Sequence, residues 1–206
     1  MAAPAADDFF ALLGEPRRPL LDPERVKDTF HRLSREQHPD TAASVTTPAA
    51  ADPHTDNFAR LNRAQAALRD PRLRLRHLLD LEYPGTVAGG PTNVPATLAD
   101  LFAPVSTLAR EADELLARKA AASSALARAL LARQGLALHE RAAEILSRLD
   151  ALQADADEDL ARLDTAWHEA PRPTDSAARL LDLYGRFAYL GRWTEQMRER
   201  VFQLGS

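Results

Sequence analysis

The chain has 206 residues, of which 45% are hydrophobic and 27% charged, and its formal net charge is −4. This composition excludes a disordered tail, and no apolar run approaches the roughly 20 residues that span a bilayer. The negative net charge argues against electrostatic binding of nucleic acid. Because the chain has no cysteine, disulfides, thiol catalysis and cysteine-based metal sites are excluded.

The first residues, MAAPAADDFF, contain no basic residue and no apolar core segment, so we do not expect a secretory signal. We expect a cytoplasmic protein that binds neither membrane nor nucleic acid. No glycine-rich phosphate loop and no nucleophile–base arrangement stands out, so we expect neither a cofactor nor enzymatic activity.

Helix-forming residues dominate the sequence and alternating β-branched strands are absent, which predicts an all-α fold. Residues 83–97 concentrate proline and glycine and predict a linker. The linker divides the chain into an N-terminal domain of short helices, residues 1–82, and a C-terminal three-helix bundle, residues 98–206.

The N-terminal domain opens with DDFFALLG, which predicts a short helix that Gly14 ends in the left-handed conformation. The segment LDPERVKDTFHRLSREQ then predicts a helix with Asp22 as N-cap and Pro23 at the first helical position. This helix should end at His38, since a residue before proline is pushed out of the α region. Three apolar residues share one predicted core stripe: Val26, Phe30 and Leu33.

Residues 41–57 predict a loop longer than the usual helix connection of about 2–8 residues. Asp56 or Asn57 should cap the next helix, NFARLNRAQAALRD. Its predicted inward-facing residues are Phe58, Leu61, Ala64 and Leu68. The Asp70-Pro71 pair predicts an interruption before a last short helix.

The C-terminal part predicts three helices of similar length, over about 104–134, 136–169 and 176–204, in an antiparallel bundle. Pro104 would lie in a first turn and Gly135 would separate the first two helices. Ser123-Ser124 is an alternative break within the first helix.

A basic stripe lies on the helix that precedes His38, because Lys27, His31 and Arg35 recur every four residues, about 100° or more from the apolar stripe. His-Pro-Asp at 38–40, a polar loop and a second amphipathic helix follow it. In this order the features resemble the J-domain of DnaJ-like co-chaperones, over residues 7 to about 82.

A narrower resemblance comes from three segments, DDFFALLGEP, LNRAQAALRDPRLRLRHLLDLE and YGRFAYLGRWTEQMRERVFQL. They are similar to HscB, the J-protein family of iron–sulfur cluster assembly. The resemblance implies docking on the ATPase domain of a DnaK- or HscA-type chaperone and stimulation of its ATP hydrolysis. It implies these docking residues: His38, Pro39 and Asp40 in the turn, and Lys27, His31, Arg32 and Arg35 on the helix.

The chemistry of these residues fits that role. Pro39 pre-sets the turn, and Asp40 outside the helix can accept a charge-assisted hydrogen bond from a partner arginine. Basic residues would steer the helix towards an acidic patch. The alternatives are a merely solvated basic face, a His-Pro step that only ends a helix, and Asp40 as a local turn residue. Thr41 departs from the basic residue of many J-domains.

The HscB resemblance also implies a client site, since that family binds an IscU-type scaffold near the start of its C-terminal bundle. The corresponding apolar residues are Leu98, Leu101, Phe102, Val105 and Phe187. Arg110 departs from the acidic character of the family there. The alternative is that these residues form the bundle core, and their exposure distinguishes the two.

Two rival functions stay open. One is a J-protein with a different client. The other is a metal-dependent hydrolase, for which the residues of metal-ligand type are His38, Asp40, Asp52, His54 and Asp56. Against the hydrolase, the chain has no helix-borne pair such as His-Glu-x-x-His.

Overall fold

The computed structural model describes residues 7–36, 53–87, 90–91, 93–169 and 175–205. Within these ranges every regular element is helical, which confirms the predicted all-α class. The helices are α1 (Phe9–Leu12), α2 (Pro23–Glu36), α3 (Pro53–Arg69), α4 (Pro71–Glu82), α5 (Ala99–Ala121), α6 (Ala125–Glu169) and α7 (Ser176–Gly205), with a 3₁₀ turn at Ala96–Leu98. None of these helices is long and apolar enough to cross a membrane.

The chain forms two compact units. The first combines Met1–Gly90 with Asp159–Tyr184, and the second combines Pro91–Glu158 with Gly185–Ser206. The boundary between Gly90 and Pro91 lies within the predicted linker, and the end of α6 and the start of α7 also belong to the first unit.

Local capping determines where the first helices begin and end. The side chain of Asp8 accepts a hydrogen bond from the Ala11 N–H, and Gly14 has the predicted positive φ of 64°. Asp22 accepts the Glu24 N–H through its side chain and the Val26 N–H through its carbonyl, as an N-cap does. The predicted end of α1 at Gly14 and the predicted start of α2 are therefore confirmed.

The start of α3 differs from its prediction. The helix begins at Pro53, so the last five residues of the predicted loop 41–57 are helical, and neither Asp56 nor Asn57 is its cap. Proline is pre-organised for the first helical turn, which makes Pro53 a suitable start. The predicted interruption at Asp70-Pro71 is present, and Asp70 is the N-cap of α4, since its side chain accepts the Leu73 N–H at 2.9 Å.

The core of the first unit contains Val26 and Phe30 of the predicted α2 stripe, whereas its third residue, Leu33, is only half-buried. It also contains most of the predicted stripe of α3. Val26, Phe30, Leu61, Ala64 and Leu68 are buried, together with Phe10, Leu13, Leu75, Leu78 and Leu79. Phe58 was predicted to face inward, and this is wrong, because 49% of it is exposed.

One arginine is enclosed in this core. Arg74 donates from Nε to the Pro19 carbonyl at 2.7 Å and from Nη1 to the Leu68 carbonyl at 2.6 Å. Burial lowers the pKa of Arg74 to about 10, which leaves it charged at neutral pH. The guanidinium thereby ties the segment before α2 to the end of α3.

The first unit also includes the facing ends of α6 and α7. Asp164 on α6 is buried, accepts the Leu20 N–H at 3.0 Å and forms a two-pronged ion pair with Arg18. Trp167 donates its indole N–H to the Arg17 carbonyl at 3.0 Å. Segment 17–20 is therefore fastened to the end of α6.

The long helices differ in length from the prediction, with 23, 45 and 30 residues in α5, α6 and α7. The break lies at Ser123-Ser124, where the Ser124 hydroxyl accepts the Ala127 N–H at 3.1 Å, and Gly135 lies inside α6. Pro104 is the sixth residue of α5 and not part of its first turn. Burial of Leu101 and Val105 on either side holds the helix together through the proline.

Candidate functional site

The four predicted docking side chains of α2 lie on one side of the helix. His31, Arg32 and Arg35 are exposed and Lys27 is half-buried, whereas the core residues of α2 point away from them. The predicted turn residues His38, Pro39 and Asp40 lie outside the described residues. The described part of α2 ends at Glu36, two residues before His38.

Carboxylates of the same unit pair with three cations of α2. Lys27 Nζ lies 2.9 Å from Glu24 Oε2, and Arg32 Nη1 lies 3.1 Å from Glu36 Oε1. Arg25 pairs with Glu15, whose side chain is almost fully buried. The α2 surface therefore displays less positive charge than its sequence suggests.

An exposed aromatic residue adjoins this surface. The Phe58 ring lies 6.3 Å from that of Phe30, and Phe30 lies 5.5 Å from the His31 ring, measured between centroids. Because Phe58 is half exposed, it adds an apolar edge beside Phe30, although it was predicted to lie in the core. A helical wheel indicates this exposure, since Phe58 lies about 90° from the mean direction of the core residues Leu61, Ala64 and Leu68.

The predicted client residues divide into two groups. Leu98, Leu101, Val105 and Phe187 are buried, so they belong to the bundle core, the alternative that the sequence left open. Phe102 is different, with 52% of its surface exposed.

Phe102 lies in an aromatic cluster of the second unit. Its ring centroid is 6.5 Å from that of Trp193, and Trp193 packs edge-on against Tyr189 at 5.4 Å. The Arg192 guanidinium lies 4.5 Å from the Tyr189 ring centre. The cluster combines an exposed aromatic ring with a cation, the two residue types that binding surfaces most often use.

Among the described residues, no group of three or more histidine and carboxylate side chains is arranged to hold a metal ion. The described part of the chain therefore gives no support to a metal-dependent hydrolase. His38, Asp40 and Asp52 lie outside the described residues, and the side chain of His54 is not described either.

Comparison with known proteins gives one consistent resemblance. No family model matches the chain. It is 40% identical over 78 residues to a co-chaperone protein HscB homolog of Bordetella pertussis, covering 37% of this chain and 44% of that protein. It is 34% identical over 94 residues to the HscB homolog of Bordetella avium, covering 42% and 54%. The matches thus span about half the length of these curated relatives.

Two solved structures have the same fold along nearly the whole chain. Human co-chaperone protein HscB matches with a TM-score of 0.57, 20% identity, and coverage of 96% of this chain and 83% of that one. Chaperone HscB from Vibrio cholerae matches with a TM-score of 0.50, 18% identity, and coverage of 96% and 99%. The architecture is that of the HscB co-chaperones, an N-terminal J-domain followed by a C-terminal helical bundle. The predicted resemblance to HscB is confirmed.

Proposed function

We propose that this chain is a co-chaperone that docks on a DnaK/HscA-type chaperone, stimulates its ATPase and delivers a client, an iron–sulfur cluster scaffold of IscU type. The observation that carries the proposal is the sequence match to co-chaperone HscB homologs at 34–40% identity. In this role the hydrolysed ATP belongs to the partner, so the chain needs no catalytic residues of its own.

The contact with the chaperone is assigned to the exposed face of α2 and the turn that follows it. Lys27, His31, Arg32 and Arg35 supply cations, and His38, Pro39 and Asp40 supply the turn. Phe58 adds an apolar edge next to Phe30. A partner surface with carboxylates for the cations, an arginine for Asp40 and a shallow apolar depression for Phe58 would match these groups.

The turn is tested by the variant Asp40→Asn. Removing the charge should abolish stimulation of a purified DnaK-type ATPase in single-turnover assays while the melting temperature stays nearly unchanged. The matched control is Asp155→Asn, which removes the same charge from an exposed position of α6 and should stimulate normally. If Asp40→Asn stimulates as well as wild type, the proposed docking turn is wrong.

The contact with the client is assigned to Phe102, since the other predicted client residues are core. Phe102→Ala should weaken binding of a purified IscU-type scaffold at least tenfold, as expected for an aromatic residue at the centre of a small interface. The matched control is Phe202→Ala, which removes an aromatic ring that is 78% exposed in the same unit. Calorimetric titration of the scaffold measures both.

The same titration tests the rival hypothesis that the chain is a J-protein with a different client. If wild type binds no scaffold at high micromolar concentration and still stimulates the ATPase, the chain is a J-protein with a different client. If Phe102→Ala binds like wild type, the scaffold uses another surface.

A further inference from the structure

The carboxylates at the two ends of α2 have no role in the docking face as proposed above. Glu24 lies in the first turn and Glu36 is the last residue. Each pairs with a proposed docking cation about one turn away on the same helix, Glu24 with Lys27 and Glu36 with Arg32. Two of the cations that should meet the partner are thus already engaged within the helix.

Because the net charge of α2 is small, each carboxylate on the helix changes its attraction for an acidic partner substantially. The helix has four cationic side chains and three carboxylates, so its net charge is only +1. Arg25 is also paired, because it forms an ion pair with Glu15 in the segment that precedes α2. Removing one carboxylate doubles the net charge of the helix, and electrostatic attraction of an acidic partner rises with that charge.

The pairs can open on encounter. In the Arg32–Glu36 pair the two side chains are 61% and 57% exposed, so water screens their attraction and the pair is weak. A partner carboxylate can then replace Glu36 on Arg32. The exchange gives up the attraction to Glu36, so a single partner carboxylate gains little from it, whereas several closely spaced carboxylates gain more.

We propose that Glu24 and Glu36 are specificity-determining residues of the docking face, which compete with the partner for Lys27 and Arg32 and select a chaperone surface with several neighbouring carboxylates. The inference rests on the proposed function, since it concerns the same contact. We expect the effect in the rate of association, since the pairs must open before partner carboxylates can engage the cations.

The test uses the full chain and a purified DnaK-type chaperone. Glu36→Gln removes the competitor of Arg32, and we expect it to raise the association rate constant about two- to fivefold at about 0.1 M salt. The increase should vanish near 1 M salt, where charges are screened beyond about 3 Å.

The matched control is Glu114→Gln on α5. Glu114 pairs with Arg110 at the same i, i+4 spacing, at 2.8 Å, and these side chains are 63% and 60% exposed. Glu114→Gln changes the total charge of the protein by the same amount and should leave the rate within error of wild type. In an Arg32→Ala background, Glu36→Gln should lose most of its effect, because the cation that it frees is gone.

The outcomes separate the inference from the function on which it rests. If wild type binds in a manner that requires Asp40, and Glu36→Gln is no faster than Glu114→Gln, the competing role is wrong and the docking face stands. If wild type does not bind the chaperone, the proposed function fails and the inference fails with it.

Discussion

At the scale of single residues, His77 of α4 joins the first helix to the J-domain core. Its Nε2 accepts the Phe9 N–H at 3.0 Å, and its ring stacks on the rings of Phe9 and Phe10 at 4.5 and 5.6 Å. Burial lowers the pKa of His77 below its ordinary value of 6.5; the nearby Asp8 and Asp80 oppose this shift and Arg17 adds to it. Only the neutral imidazole can accept this hydrogen bond.

The stability of the protein should therefore depend on this histidine in weakly acidic solution. Because the native pKa is lower than the unfolded value, the unfolded chain takes up the proton first as pH falls below 6.5. The free energy of unfolding should decrease until the pH passes the native pKa. In urea titrations between about pH 7 and pH 5, wild type should lose more stability than His77→Gln, which keeps an acceptor but does not titrate. Equal losses would contradict the assignment.

At the scale of helices, Gly135 provides a test of the continuity of α6. Glycine at this position predicts a break between two helices, whereas the structure has an unbroken helix from Ala125 to Glu169. A Cβ added at Gly135 would lie 3.7 Å from the Leu204 carbonyl oxygen and 3.8 Å from Leu115 Cδ2, which are ordinary contact distances.

Gly135→Ala should consequently stabilise the protein by about 0.4–1 kcal/mol, since alanine favours the helix and limits the unfolded chain. Urea denaturation measures the change. Gly191→Ala in α7 is the matched control, because a Cβ there meets nothing within 4 Å and shows the gain from helix propensity alone. A loss of stability at Gly135 with a gain at Gly191 would indicate a break or a tight contact at residue 135.

At the scale of the whole molecule, the first unit depends on residues far apart in sequence. Arg18 and Asp164 are separated by 146 residues and belong to the same unit. Asp164→Ala should destabilise the protein by about 1–3 kcal/mol, because it leaves Arg18 and the Leu20 N–H without their buried acceptor. Asp155→Ala, exposed on the same helix, should change the free energy of unfolding by less than about 0.5 kcal/mol. Similar losses in both variants would show that the ion pair does not stabilise the unit.

Features that depend on interactions within one helical turn could be predicted from the sequence, whereas features that depend on packing between helices could not. The starts of α2 and α4 were predictable at Asp22-Pro23 and Asp70-Pro71, because capping and a restricted φ act within one turn. The α5–α6 break was not, since Gly135 and Ser123-Ser124 are equally good local breaks. The choice between them therefore depends on tertiary packing, which local sequence does not show; Gly135 lies close to Leu115 of α5 and Leu204 of α7.

The candidate site shows the same contrast. The cations of α2 were placed on its surface from periodicity alone, since a helical wheel gives direction. Periodicity also predicted the apolar stripe near residue 100, but it does not reveal what covers such a stripe. Burial by the remainder of the bundle assigns Leu101 and Val105 to the core and leaves Phe102 outside.

Because α6 is continuous through both units, insertions and deletions within this helix should be restricted. Inserting a single codon between residues 131 and 167 would rotate every later side chain by about 100° and turn leucines that are now covered towards water. Homologues of different length should therefore differ by whole heptads in α6, compensated in α7, or at the Ala122–Ser124 connection, where an added residue alters no helical register.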